Sequence, residues 1–238
     1  MEKEYRPRLN EKEYNLIQKY RSKGNLLIIG DLHSPFIKPG YLEFCKSVYD
    51  KYNCTRVVFI GDLIDNHYSS YHETDPDGVG AGQELTMATR KLNKWHEAFP
   101  DADVMLGNHD AIPARKAFSA GLSKRWIKSI GEVLQFDGWR YHEELIINDV
   151  LYVHGTGRKA RNRCKDDLIS VVQGHYHSES YIEHFVGERF RMFAMQLGCG
   201  VDRTAYAMAY GKHFKKMHIN CGVVLDNGEQ PILEYMKL

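Results

Sequence analysis

Ten residues with the chemistry of metal ligands or proton carriers stand in short clusters, each cluster beside a glycine. Asp31 and His33 follow Gly30, and Asp62 and Asp65 follow Gly61. Asn108, His109 and Asp110 follow Gly107, His154 precedes Gly155, and His175 and His177 follow Gly174. The set offers carboxylates, imidazoles and one amide oxygen, with no thiolate. That donor set suits Mn²⁺, Fe²⁺/Fe³⁺ or Zn²⁺ and disfavours Cu(I) and iron–sulfur clusters. A single Asp after a strand is commonly a turn or cap residue, and a single buried His is commonly a satisfied core residue. Imidazoles and an amide gain nothing from clustering as Gly-Asn-His-Asp and Gly-His-x-His in a core, so ligand chemistry accounts for them better. About seven ligands exceed what one tetrahedral ion takes; two ions sharing a carboxylate, ~3.5–4 Å apart, would use them.

The elements that must position these residues follow a rhythm. Asn25–Ile29, Arg56–Ile60 and Asp103–Leu106 are short apolar runs ending at the first three clusters. Between them Tyr41, Phe44, Val48 and Tyr52, then Leu85, Ala88, Leu92, Trp95 and Phe99, recur at helical spacing. Strand, helix, strand, helix, strand implies βαβ units with a largely parallel core. Ligands of such sheets collect at the carboxyl ends of the strands, where all the clusters fall. Residues 113–136 read as one helix with Trp126, Ile127, Ile130 and Leu134 as its apolar positions. Glu144–Ile147 and Leu151–Val153 flank Asn148-Asp149, and Gly222–Leu225 and Ile232–Tyr235 flank Asp226-Asn227-Gly228, two hairpin signals. Ser170–Val172 leads into Gly174. The polar stretch 66–84 reads as a surface loop. Asn10-x-x-Glu13 and Gly24 bracket a short amphipathic helix over 11–23, which divides the chain into an N-terminal helical extension, residues 1–24, and one domain, residues 25–238.

The chain has 238 residues, 43% hydrophobic, with Lys+Arg 32 against Asp+Glu 31. It is long enough for an unaided core, and it is neither collagen-like, disulfide-framed nor wholly disordered. It has no transmembrane-length apolar run, and a start too charged for a signal peptide; both lead to the expectation of a cytoplasmic protein. Five cysteines without a CxxC pair are expected to be structural thiols. With a net charge of +1, any phosphate or nucleic-acid site must be local. One local cluster is Arg158, Lys159, Arg161, Arg163 and Lys165, read as a basic loop after His154 that guides a polyanion. His67, Tyr68 and His72 follow the Asp62 cluster and are candidates to face substrate.

The series Asp31-x-His33, Gly61-Asp62-x-x-Asp65, Gly107-Asn108-His109-Asp110, His154, Gly174-His175-x-His177 resembles the calcineurin-like metallophosphoesterase superfamily. The resemblance covers residues 25–177 and implies a four-layer α/β/β/α sandwich with a dinuclear centre at the sheet edges. It implies that Asp31, His33 and His177 hold one ion, that Asn108, His154 and His175 hold the other, and that Asp62 bridges both. It makes His109 the catalytic, non-ligating histidine with Asp110 fixing its tautomer, and Asp65 a support for the loop of Asp62. Two divalent ions are the implied cofactor, Mn²⁺ first, with Fe, Zn and Ni as alternatives. Protein serine/threonine phosphatases of the superfamily follow Gly-Asp-x-x-Asp with Arg-Gly and carry Gly-Asn-His-Glu; here Asn66-His67 and Asp110 stand instead. The pattern is more similar to the class III cyclic-nucleotide phosphodiesterases and to repair nucleases, so a phosphodiesterase acting on a nucleotide or single-stranded nucleic acid is expected. The alternatives are a phosphomonoesterase or protein phosphatase, and a non-catalytic binding module on the same fold.

Overall fold

The computed structural model describes residues 24–71, 75–205 and 216–237. The expected helix over 11–23 and His72 lie outside the described residues. In chain order the elements are β1 (Asn25–Ile29), α1 (Tyr41–Lys51), β2 (Cys54–Phe59), α2 (Ala81–Ala98), β3 (Ala102–Met105), α3 (Ile112–Ser119), α4 (Ile130–Leu134) and β4 (Trp139–His142). There follow β5 (Glu144–Ile147), β6 (Val150–Val153), α5 (Ala160–Asp167), β7 (Ser170–Gln173), β8 (Tyr181–Gly187), β9 (Phe190–Gln196), β10 (Asn220–Leu225) and β11 (Gln230–Tyr235). Two sheets result, one in the order β11-β10-β1-β2-β3-β4 and one in the order β5-β6-β7-β9-β8. β1 to β4 run parallel, as do β6, β7 and β9; β10, β11, β5 and β8 pair antiparallel with their neighbours.

Three apolar clusters separate four layers. β1 alternates between two of them. Leu27 and Ile29 face Tyr41, Cys45 and Val48 of α1 and Leu92 and Trp95 of α2. Leu26 and Ile28 face the second sheet through Tyr152, Val172 and Met195. On the far side of that sheet Val153, Val171 and Ala194 pack on Ala160 and Cys164 of α5. The order is helices, sheet, sheet, helix, the α/β/β/α sandwich implied by the motifs. A strand buried on both faces has no polar position to offer, which is why β1 reads as a continuous apolar run.

Three local expectations are corrected. The stretch 113–136 is not one helix. Gly121, at φ +73°, ends the first piece, and the Ser129–Glu132 capping box starts another. Trp126, expected in the core, is exposed, with no element among the described residues covering that side. Residues 158–165, expected as a loop, lead into α5; its apolar stripe is only Ala160 and Cys164, too small to register as a period. In α2, Leu85 is half-exposed and Glu84 takes the buried position. Its carboxylate accepts the backbone N–H groups of His67 (2.7 Å) and Tyr68 (3.0 Å), pinning the turn after Asp65 to the helix. All five cysteines are free and buried. No helix among the described residues is long and apolar enough to cross a membrane.

Tyr41 ties this frame to the first cluster. Its buried hydroxyl accepts the Gly30 N–H (3.2 Å) and donates to the Asn220 carbonyl (2.6 Å), joining α1 to the ends of β1 and β10. Tyr41→Phe strands both buried backbone groups and is expected to cost about 1–3 kcal/mol. Equilibrium urea unfolding checks this as a lower midpoint at unchanged slope; an unchanged midpoint would show that water replaces the hydroxyl there.

Candidate metal centre

The loops that follow β1 and β2 are zipped together by their backbones. His33 N–H donates to Asp62 O (2.8 Å), Ser34 N–H to Leu63 O (2.8 Å), and Asp65 N–H to Ser34 O (3.0 Å). Gly200 N–H donates to Asp31 O (2.8 Å), and His218 N–H to His177 O (2.8 Å), which brings the segment after β9 against the same edge. Close approach demands glycine at two of the clusters. A Cβ on Gly107 would lie 2.0 Å from Asp62 Oδ1, and one on Gly174 would lie 2.4 Å from Asp31 Oδ1. Three non-glycine residues of the centre, His33, Asp62 and His175, have positive φ (44°, 46° and 72°). Such conformations cost of order 1–3 kcal/mol each and persist where the surroundings enforce them.

The side chains meet in three groups whose ligand atoms lie within 4.8 Å of one another: Asp31, His33 and His177; His33, Asp62 and His109; Asp62, His154 and His175. Asn108 joins the third, its Oδ1 3.0 Å from His154 Nε2. Asp65 accepts His33 Nδ1–H at 2.6 Å, which turns His33 Nε2 inward. The Ile60 carbonyl accepts His154 Nδ1–H at 3.1 Å, which turns His154 Nε2 inward. Carbonyls and carboxylates commonly hold ligating imidazoles in this way.

Whether these residues fit cations can be judged from what they leave unpaired. Asp31 Oδ1 and His33 Nε2 are buried with no hydrogen-bond partner. His154 Nε2 faces Asn108 Oδ1 and, at 3.2 Å, Asp62 Oδ2. A lone pair aimed at two oxygens needs a proton or a cation between them. Burial alone would raise the Asp62 carboxyl, but His154, His33 and His109 hold it well below the usual carboxylate range. Burial opposes charge on His154, yet Asp62 and Asp31 push it up to about 9. Burial and the neighbouring His154 push His175 down to about 4. His177 is raised against its burial by the Cys199 thiol and Asp31, so Cys199, treated as structural in the sequence, lies against the centre. Ligands of this kind exchange protons for metal on binding, and the donor set fits divalent cations.

His109 has its ring 4.6 Å from that of His33, and its backbone N–H donates to Asp62 Oδ1 at 2.8 Å. Its Nδ1–H is held by the Asp65 carbonyl at 2.5 Å. This corrects the expectation for Asp110. The Asp110 carboxylate accepts Gly107 N–H (2.9 Å) and Ile64 N–H (3.2 Å), so it ties the third loop to the second and does not touch the His109 ring. Burial, and then the charge of Asp62, push its carboxyl up to about 6. His67 is buried, its backbone on Glu84 and its Nε2 accepting the Asp75 N–H at 3.4 Å, so it braces its own loop; Tyr68 is exposed.

The basic segment at α5 carries its own counter-charges. Arg158 pairs with Asp166 (2.9 Å), Lys159 with Glu179 (2.5 Å), and Arg161 with Glu183 (3.3 Å) while covering the Tyr181 ring. Arg163 pairs with Glu144 and Asp167, and Lys165 lies over the Phe185 ring. The acids sit on β5, on β8 and the loop before it, and at the end of α5, which a linear count of cations does not register.

In fold the chain is similar to an archaeal phosphodiesterase, at 14% identity with 89% of this chain and 99% of that chain covered and a TM-score of 0.47. It is also similar to Vacuolar Protein Sorting 29 from Cryptosporidium parvum, at 12% identity, 88% and 89% covered, TM-score 0.45. A third likeness is to nuclease MPE of Pseudomonas putida, at 12% identity, 87% and 86% covered, TM-score 0.42. No protein of curated function matches in sequence. The family model for calcineurin-like phosphoesterases matches residues 24–203, a span that contains every residue of the centre just described, and the chain belongs to that family.

Proposed function

We propose that this protein is a phosphodiesterase that works with two divalent cations, Mn²⁺ first among them. Asp31, His33 and His177 hold one, Asn108, His154 and His175 the other, and Asp62 is shared. When bound, such a pair supplies a nucleophile from water near neutral pH and neutralises phosphoryl oxygens. The single observation that carries the reading is the pair of buried atoms left without a hydrogen bond, Asp31 Oδ1 and His33 Nε2, the latter 3.5 Å from Asp62 Oδ2. A non-catalytic module on this fold has no use for ligand atoms held unpaired at that cost.

The chain's own residues do the rest. The Asp65 carbonyl holds the His109 Nδ1 proton, so Nε2 is the free ring atom; in the imidazolium form it carries the second proton, which it gives to a departing alkoxide, or with which it hydrogen-bonds a phosphoryl oxygen. Asp65 therefore sets two rings, His33 through its carboxylate and His109 through its carbonyl. Asp110 fixes the backbone of Gly107 and so the placement of Asn108 and His109. The diester is favoured over the monoester by Asn66. It stands where the protein phosphatases of the superfamily carry Arg, and its amide is engaged by the His109 carbonyl at 2.9 Å. A monoester dianion gains from a bidentate guanidinium, whereas a diester monoanion needs less cationic help.

Elemental analysis of the purified protein is expected to give two divalent ions per chain, and chelation to remove activity. Asp62→Asn should lower both metal content and turnover more than any other single ligand change. Full activity in chelator with no bound metal refutes the cofactor assignment.

His109→Ala is expected to lower kcat by roughly 10²–10⁴-fold with metal content unchanged. Loss of metal together with activity would make His109 a ligand instead.

Bis(p-nitrophenyl) phosphate should be cleaved with kcat/KM at least comparable to that of p-nitrophenyl phosphate. A strong preference for the monoester would replace this reading with a phosphatase.

A further inference from the structure

From Ala111 to Gly131 the chain carries five cations, Arg115, Lys116, Lys124, Arg125 and Lys128, and no carboxylate. The whole chain is only +1, so everything outside this stretch is net acidic. The stretch leaves the centre directly, the Ile112 N–H donating to the His109 carbonyl at 3.1 Å as α3 begins. Unlike the cations around α5, Arg115, Lys116 and Arg125 have no ion pair among the described residues. Their company is aromatic. Arg115 and Lys116 lie 5.1 and 5.5 Å from the centroid of the Tyr71 ring.

Large rings are left in water on the same stretch. Trp126 is 82% exposed and Phe118 is 74% exposed, while Tyr71 on the facing loop is 59% exposed. Single exposed apolar residues are ordinary, but three large rings exposed on one short stretch and the loop it meets, with cations that pair with no acid among the described residues, point to a binding surface. Tyr71 stands six residues after Asp65, and Arg115 six residues after His109, so the two loops that build the centre meet again outside it.

Cations without counter-charges fit phosphates, and exposed planar rings fit unstacked bases; single-stranded nucleic acid presents both, repeated along its length. A duplex keeps its bases stacked on one another and offers these rings nothing. An acidic peptide satisfies the cations but leaves the aromatic faces wet.

Resting on the phosphodiesterase reading above, we propose that the face formed by Tyr71, Arg115, Lys116, Phe118 and Trp126 binds single-stranded nucleic acid and leads its backbone to the metal centre.

The test uses the full chain in chelator, so that binding is read without cleavage, and a labelled oligothymidylate of about 16 nucleotides, long enough for one site. Of the three tryptophans, Trp95 is 2% and Trp139 6% exposed, so intrinsic fluorescence quenched by the oligonucleotide reports Trp126. Trp126→Ala is expected to weaken binding by anisotropy roughly 5- to 150-fold, the worth of one stacked base, and Trp126→Phe to restore most of it. Arg115→Gln with Lys116→Gln should weaken binding and flatten the slope of log K against log salt by about 0.7 per lost phosphate contact. Hydrolysis of bis(p-nitrophenyl) phosphate should be unchanged in all of these variants, since none alters the centre. Unchanged oligonucleotide affinity in both the Trp126→Ala and the double variant overturns the proposal. So does a loss of binding confined to phosphatidylserine vesicles, which makes the face a membrane contact. A change in oligomeric state alone, which makes it a contact between copies, overturns it too. Oligonucleotide binding that depends on these residues in a protein that cleaves no diester would sink the phosphodiesterase reading and leave this one standing.

Discussion

Asp62 is a carboxylate with almost no access to water whose two oxygens face different company: Oδ1 takes the His109 backbone N–H, and Oδ2 faces His154 and His33. A buried carboxylate stays ionised only where donors or positive charge repay its lost hydration. Here two of the nearest groups are imidazoles whose outer nitrogens are already committed, His33 to Asp65 and His154 to Ile60. Their inner nitrogens must therefore share protons or cations with Asp62. The cluster cannot be satisfied by hydrogen bonds within the described chain alone, as the unpaired Asp31 Oδ1 and His33 Nε2 record. That shortfall is the physical basis for reading the edge of the sheet as a cation site.

Holding such a cluster takes a frame stiff enough to enforce unfavourable backbone. His33, Asp62 and His175 occupy left-handed conformations, and Gly107 and Gly174 admit carboxylate oxygens at distances no side chain would allow. The stiffness comes from β1 and β2, which are packed on both faces, and from backbone hydrogen bonds that cross between the loops. Tyr41 of α1, Glu84 of α2 and Asp110 of the loop after β3 extend this by binding backbone groups next to the clusters. None of the three touches a proposed ligand's reactive atom. Each fixes the chain that carries one.

What could be read from the sequence follows from which features have a one-letter signature. β1 to β3 and their glycine-ended clusters were legible because a doubly buried strand is a plain apolar run and a tight exit needs glycine. The two hairpins were legible because Asn148 and Asp149, like Asp226 and Asn227, accept positive φ. The partner of His109 was not legible, because it is the carbonyl of Asp65, and a main-chain oxygen has no letter; the adjacent Asp110 was the natural but incorrect substitute. β8 and β9 were missed because β8 is only partly buried and carries no motif, and α5 because two small residues make up its buried face. Trp126 was misplaced for the opposite reason. Its hydrophobicity marks what it could bury, while its exposure depends on whether another element arrives to cover it.

The charge around the rim is where sequence proximity misled most, and the structure explains how. Counted along the chain, Arg158 to Lys165 is the dense basic cluster next to a ligand. Counted in space, it is close to neutral, because β5, the loop before β8, β8 itself and the end of α5 supply Glu144, Glu179, Glu183, Asp166 and Asp167. The cations after His109 are sparser in sequence, yet Arg115, Lys116 and Arg125 meet no acid among the described residues. Exposed pairs contribute little to stability, but they cancel one another's field at a distance, whereas unpaired cations add to it within a Debye length. Among the described residues, the field felt by an approaching anion therefore favours the side where α3 leaves the centre. That is also the side where His109 sits, so the residue assigned to the departing alkoxide and the cations that would attract the phosphate chain are carried by one continuous segment, from Gly107 to Lys128.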